Sequence, residues 1–226
     1  MFMAMEIKVV RKILEENDNA ALAIRRKLRS RNQCMVNFMS SPGSGKTLLL
    51  EKLIPLLLES GLRVGVIEGD ISTARDAMRL QHLGIPIAQI NTEFFGGDCH
   101  LAAPVVMTAL QALEEHPLDI VLLENVGNLV CPAEFDTGSD LNVTLLSVTE
   151  GEDKPLKYPL MFRSADLALI SKTDLIEATE ADVPLIRRNM RQINGELKIL
   201  EVSAKKGVGL NELKAQIVEL HRKTTV

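Results

Sequence analysis

The sequence of 226 residues predicts an α/β fold: a mostly parallel sheet flanked by helices on both faces. Three observations lead there. Apolar runs of strand length alternate with helical stretches along most of the chain. The runs are apolar at consecutive positions, as strands buried on both faces require. Glycine-rich and acidic segments follow these runs, at the carboxyl edge where open parallel sheets bind ligands.

Residues 6–31 read as a helix with apolar positions Ile7, Val10, Ile13 and Leu14 and a basic end, IRRKLRSR. The strand CMVNFMS then leads into the helix GKTLLLEKLIPLLLES, and RVGVIEGD into TARDAMRLQHLG. The strand IPIAQIN follows, then a helix around residues 99–114 whose first residues are Cys99 and His100, with Asp98 as N-cap. DIVLLENV, NVTLLSVTE and DLALISKTD supply three more strands. The helix DVPLIRRNMRQIN, the strand LKILEVSA and the helix LNELKAQIVELHR complete the pattern. Neither an internal repeat nor a long linker interrupts it. The division is a helical extension over residues 1–32 and one α/β domain over 33–226.

With 46% hydrophobic and 25% charged residues the composition is that of an ordinary globular protein. A net charge of −4 gives no electrostatic case for nucleic acid or anionic lipid as the main partner. The start has no apolar core suited to a signal peptide, and no apolar run reaches the roughly 20 residues of a membrane span. Three cysteines cannot all pair within one chain. A reducing cytoplasm, with free or metal-bound thiols, is the expected setting.

SSPGSGKT, residues 40–47, lies between a strand and a leucine-rich helix with the spacing G-x-x-x-x-G-K-[ST], Ser40 standing at the first glycine. Ser40 is expected to serve the turn and not the phosphate. Gly43, Ser44 and Gly45 would aim backbone N–H groups at phosphate oxygens, aided by the helix N-terminus. Lys46 would reach the β- and γ-phosphates and the Thr47 hydroxyl would hold Mg²⁺. The segment therefore predicts a bound nucleoside triphosphate.

Two later segments point to guanine. In SKTD, residues 171–174, the Asp174 carboxylate can accept from N1–H and the exocyclic amine of guanine, donors that adenine lacks. The Lys172 stem would pack on the base. In SAK, residues 203–205, the Ala204 N–H would reach O6, with Ser203 and Lys205 beside it. These segments resemble the N-K-x-D and S-A-K motifs of GTPases, with Ser171 in the asparagine position that braces the loop. Asp70 and Glu124 end strands and would hold the Mg²⁺ shell or orient the attacking water. The favoured assignment gives the water to Asp70 and the switch to Glu124, where E-x-x-G sets the Gly127 amide toward the γ-phosphate.

Cys99 and His100 stand together after two glycines, and Cys131 lies four residues beyond Gly127. On spacing alone the pair reads as metal ligands, a catalytic pair or core packing. With Cys131 it offers three ligands for Zn²⁺ or Ni²⁺, and a two-fold dimer would complete the set.

SSPGSGKT, EGD, CHLAA, ENVGNLVCP, EGEDKPLKYP and SKTDL, in that order, closely resemble the HypB family, GTPases that assist nickel insertion into nickel–iron hydrogenase. The resemblance implies a SIMIBI-class G domain, GTP-dependent homodimerisation and slow hydrolysis. It implies Cys99, His100 and Cys131 as ligands of Ni²⁺ or Zn²⁺ at the dimer interface, and Lys154 near the partner subunit's nucleotide. The implied partners are the HypA nickel chaperone and the hydrogenase large-subunit precursor. Relatives with an N-terminal cysteine motif or histidine-rich tract have no counterpart of it here, and Pro104 stands where some carry a further histidine, so nickel storage is not expected. The urease-maturation GTPase UreG is the nearest alternative, but its Cys-Pro-His is Cys131-Pro132-Ala133 here. A small-molecule P-loop kinase would need clamping arginines; Arg75 and Arg79 read as a solvated helix face.

Overall fold

The strands owe their place to residue parity. In β1 (Cys34–Ser40) every residue is buried, and Cys34, Val36 and Phe38 pack to one side of the sheet. Met35 and Met39 pack to the other. The same alternation runs through β4 (Ile120–Glu124), where Ile120 and Leu122 oppose Val121 and Leu123. Such two-sided burial is what consecutive apolar residues encode.

The computed structural model describes residues 3–70, 79–91 and 100–224. Besides β1 and β4 it has β2 (Val64–Asp70), β3 (Ile87–Asn91), β5 (Leu141–Ser147), β6 (Leu167–Ser171) and β7 (Lys198–Glu201). They form one sheet in the order β3-β2-β4-β1-β5-β6-β7, parallel at every pairing. The helices in chain order are α1 (Met3–Ser30), α2 (Lys46–Glu59), α3 (Ala103–Ala112), α4 (Lys154–Lys157), α5 (Pro159–Arg163), α6 (Ile176–Thr179), α7 (Val183–Ile193) and α8 (Leu210–Thr224). One face is covered by α2 and α8. The other is covered by α1 and α3 at one end and by α5 and α7 at the other.

The N-terminal helix is built into this core. Ala21, Ile24 and Leu28, on one stripe of α1, are buried with Val106 and Leu110 of α3. Cys34, at the head of β1, is a free thiol that burial pushes up to about 12.

One predicted boundary is corrected. Cys99 and Asp98 lie outside the described residues, but His100 precedes a helix that begins only at Ala103, with Ala102 in the N-cap position at φ −75° and ψ 150°. Pro104 explains the later start. In a helix from Cys99 it would stand past the first turn and deny the His100 carbonyl its bond, whereas in a helix from Ala103 it falls in the first turn, where no N–H is needed.

Candidate functional site

The predicted phosphate loop joins β1 to α2. Gly43 and Gly45 have φ of +74° and +97°, and Gly45 takes the left-handed conformation at the N-cap position of α2. Lys46 Nζ donates to Ser40 Oγ at 2.9 Å. Ser40 is fully buried and donates in turn to the Ser41 carbonyl. Its hydroxyl therefore positions the loop lysine, a role beyond the turn expected of it.

A cavity of about 470 Å³ opens above this loop, lined by Gly43, Gly45, Lys46, Thr47, Glu68, Glu124 and Gly127 among others. Thr47 Oγ1 donates to Glu124 Oε1 at 2.8 Å in a buried setting. Glu68 was missed from the sequence. It faces Glu124 in register across the β2–β4 pairing, and both are buried. The signal was available, since Glu68 lies two residues before Asp70 and strand side chains repeat every second residue. Asp70 ends β2, paired with Asn91; its side chain lies outside the described set. The Thr47 hydroxyl and the two glutamate carboxylates are an oxygen-only donor set beside a cation, chemistry that fits Mg²⁺.

Gly127 meets the phosphate loop from β4's side. A Cβ there would lie 3.0 Å from Pro42 Cα and 3.2 Å from Pro42 N, so any other residue would require the phosphate loop to give by a few tenths of an ångström. Asn128 Oδ1 then accepts the N–H groups of Val130 at 2.7 Å and Cys131 at 3.3 Å. Arg79 also lines the cavity, ion-paired to Glu51 at 3.0 Å, and not merely on a solvated face; Arg75 is outside the described residues.

A second cavity, about 240 Å³, lies on the other side of the loop. Ser44, Gly45, Ser171, Lys172, Asp174, Ala204 and Lys205 line it. Ser171 Oγ donates to the Ser44 carbonyl at 2.9 Å, supplying from a serine the brace expected of asparagine. Lys172, in the left-handed region at φ +58°, donates to the Gly43 carbonyl at 2.6 Å. Ser203 Oγ donates to Asp174 Oδ1 at 2.5 Å and this bond holds the carboxyl below its ordinary value. Asp174 is therefore ionised at neutral pH, as an acceptor for two ring donors must be. Glu150 ties a further loop to the phosphate loop: its carboxylate accepts from the hydroxyls of Ser41 and Ser44 and from the Ser147 N–H.

The residues predicted for a second metal are distributed as follows. Cys131 begins a short helical turn, Cys131–Ala133. Its sulfur is disulfide-bonded, unlike the free or metal-bound thiol expected, so a metal requires its reduced form. The His100 ring stacks on Phe135 with centroids 3.9 Å apart and planes at 14°, which brings the two segments together. Among the described residues no group of three or more His, Cys, Asp or Glu side chains forms a metal-holding cluster; Cys99 is not among them. Lys154 opens α4, its Nζ 5.6 Å from the Tyr158 ring centroid, and borders neither cavity of its own chain.

A parallel sheet with a strand–glycine loop–helix at its centre, a carboxylate bonded to Thr47 with a second one beside it, and a neighbouring pocket that presents Asp174 define a nucleoside-triphosphate-binding domain of the P-loop class. Residues 34–201 match the family described as CobW/HypB/UreG, nucleotide-binding domain. The chain is 45% identical over 211 residues to the hydrogenase maturation factor HypB of Azotobacter chroococcum mcd 1, covering 93% of this chain and 68% of that one. The crystal structure of HypB from Helicobacter pylori in complex with nickel superposes with a TM-score of 0.86 at 38% identity, over 93% of this chain and 97% of that one. That of the hydrogenase maturation factor HypB from Archaeoglobus fulgidus gives 0.83 at 37% identity, over 92% and 100%. The chain belongs to the HypB family of hydrogenase maturation factors. Among the described residues no helix is long and apolar enough to cross a membrane.

Proposed function

We propose that this protein is a GTP-hydrolysing metallochaperone that assists nickel insertion into a hydrogenase precursor, working as a GTP-dependent homodimer. The reading rests on one observation above others: the stretch from Gly127, packed on the phosphate loop, to Cys131 is short and held by Asn128. Guanine is read by Asp174, Lys172 and Ala204, with Ser203 and Lys205 shaping the pocket. Gly43, Ser44, Gly45 and Lys46 hold the phosphates. Thr47 and Glu124, with Glu68 beside them, would hold Mg²⁺, which neutralises charge building on the β- and γ-phosphates. Asp70 orients the attacking water. Hydrolysis without a partner is slow, as suits a timer for delivery.

Nickel or zinc, as cargo, is gripped by Cys99, His100 and Cys131 at the interface between two copies. Lys154 reaches the partner subunit's nucleotide. The further partners are a HypA-type nickel chaperone and the hydrogenase large-subunit precursor, met in a reducing cytoplasm. Movement of Gly127 with the γ-phosphate carries Cys131 and alters the metal's geometry. By linkage, metal must then alter nucleotide affinity by the same factor. Nickel affinity of the reduced protein is measured with GDP and with a non-hydrolysable GTP analogue. A difference of roughly fivefold or more is expected from a typical coupling; equal affinities would remove the switch.

A further inference from the structure

We propose that Asn17 is a positioning residue for the metal site, anchoring to one helix the chain just after His100, at Ala103, and the chain beyond Cys131, at Asp136. The inference rests on the metal-binding reading above. Asn17 lies on the buried stripe of α1, one turn before Ala21, and only 3% of it is exposed. An amide there is costly unless both its ends are bonded. Both are. Its Oδ1 accepts the Ala103 N–H at 2.8 Å, and its Nδ2 donates to the Asp136 carbonyl at 2.9 Å.

The two partners belong to the two segments of the site. Ala103 opens α3 three residues after His100, and Ala102 at the N-cap position offers no side-chain acceptor. Asn17 thus satisfies, from another helix, one of the N–H groups that a helix start leaves without an intrahelical partner. Asp136 follows Cys131 by five residues and adjoins Phe135, on whose ring His100 stacks. Two turns further along α1, Arg25 makes a two-pronged pair with the Asp136 carboxylate, both bonds 2.7 Å, and donates to the Ser139 carbonyl. Ile24 fills the space against Gly138, where a Cβ would lie 2.7 Å from it. One helix therefore grips both halves of the site, and the Asn17 amide is bonded to each.

The test uses the reduced full-length chain and the variants Asn17→Ala and Asn17→Asp, the latter keeping the acceptor for Ala103 and losing the donor. Nickel affinity is read by competition with a chromogenic chelator, and the thiolate-to-nickel charge-transfer band by absorption. GDP affinity and exchange of the Ala103 amide are read without metal. Loss of a supporting bond typically weakens metal binding by about 10- to 100-fold. Asn17→Ala should fall in that range with a shifted band, faster Ala103 exchange and GDP affinity within about twofold of wild type. Asn17→Asp should fall between, with Ala103 exchange near wild type, and it carries the test if the alanine variant does not fold. Unchanged nickel affinity and band in the variants overturn the role of Asn17 alone, as does an equal loss of GDP affinity, which would mark general loosening. A wild-type protein with no thiolate band overturns the metal reading and Asn17's role with it.

Discussion

Removing one hydroxyl tests how this chain manages without the asparagine of the usual guanine motif. Ser171 Oγ donates to the Ser44 carbonyl at 2.9 Å, and both residues are buried. In Ser171→Ala the carbonyl keeps its burial and loses its donor, at a cost of about 1–3 kcal/mol. The bond exists before nucleotide arrives, so its loss first loosens the free loop. Nucleotide must then select the ordered fraction, and its apparent Kd weakens by the reciprocal of that fraction. A penalty of about 1–3 kcal/mol caps the loss at roughly 5- to 150-fold. Lys172 still ties its own loop to the Gly43 carbonyl, though from an exposed position. The expected result is therefore near the lower end, about fivefold. A fluorescent GDP derivative measures the affinity, and thermal unfolding without nucleotide measures the loosening. An alanine variant that matches wild type in both refutes the brace. One that loses stability and keeps its affinity refutes the link between loop order and binding.

Gly127→Ala forces a Cβ onto the Pro42 backbone at 3.0 Å; displacement measurements should show GTP-analogue affinity down about tenfold, a cost within the 1–3 kcal/mol of an overpacked contact, with GDP little changed. Asp174→Asn should weaken GTP by about tenfold or more and inosine triphosphate, which lacks the exocyclic amine, by less; equal losses would deny Asp174 its bond to that amine. Asn128→Ala removes the acceptor for the Val130 and Cys131 N–H groups; nickel affinities in the GDP and GTP-analogue states should converge, by isothermal titration of both. Cys34 should resist alkylation in the folded protein at pH 8, because burial raises its pKa to about 12. Since that folded value lies above the ordinary one of 9.0, the unfolded chain loses this proton first. Its contribution is intact below pH 9 and stability falls as pH climbs from there toward 12, as denaturant titrations at several pH values would record.

Local signals carried most of the architecture. The strands at 34–40, 120–124 and 167–171 are short apolar runs that need no distant information to be found. The phosphate loop and the Asp174 pocket were equally legible, because phosphate and guanine chemistry fix residue types at fixed spacing. What escaped depends on contacts between distant segments. Glu68 gains meaning only through its register with Glu124. The late start of α3 was marked by Pro104, but the Cys-His pair drew the boundary toward itself. Asn17 looked like one more polar residue in a helix, since its partners are 86 and 119 positions away. The Ser40 hydroxyl bonded to Lys46 was hidden by comparing the position with a glycine whose job is conformational.

Three loops converge on the phosphate loop, two by hydrogen bonds and one by close approach. Ser171 and Lys172 bond its carbonyls, Glu150 accepts from its hydroxyls, and Gly127 lies so near Pro42 that a Cβ would be 3.0 Å from its Cα. In the proposed function, a terminal phosphate entering this loop would bear on the Asp174 pocket, the Glu150 loop and the Gly127–Cys131 loop at once. The first two ties are hydrogen bonds, which tolerate a few tenths of an ångström. The third is close packing without a bond. Of the three, the Gly127 loop alone leads to a residue of the proposed metal site, so its shift is the one the proposed switch needs. One residue further on, the doubly bonded Asn128 leaves little freedom to absorb that motion before Cys131. The chain just after His100 is fixed to α1 by Asn17 at Ala103, and the chain beyond Cys131 is fixed to it at Asp136 by Asn17 and Arg25. A switch needs a part that moves and a frame that does not; α1 supplies the frame, and the motion falls to the stretch from Gly127 to Cys131.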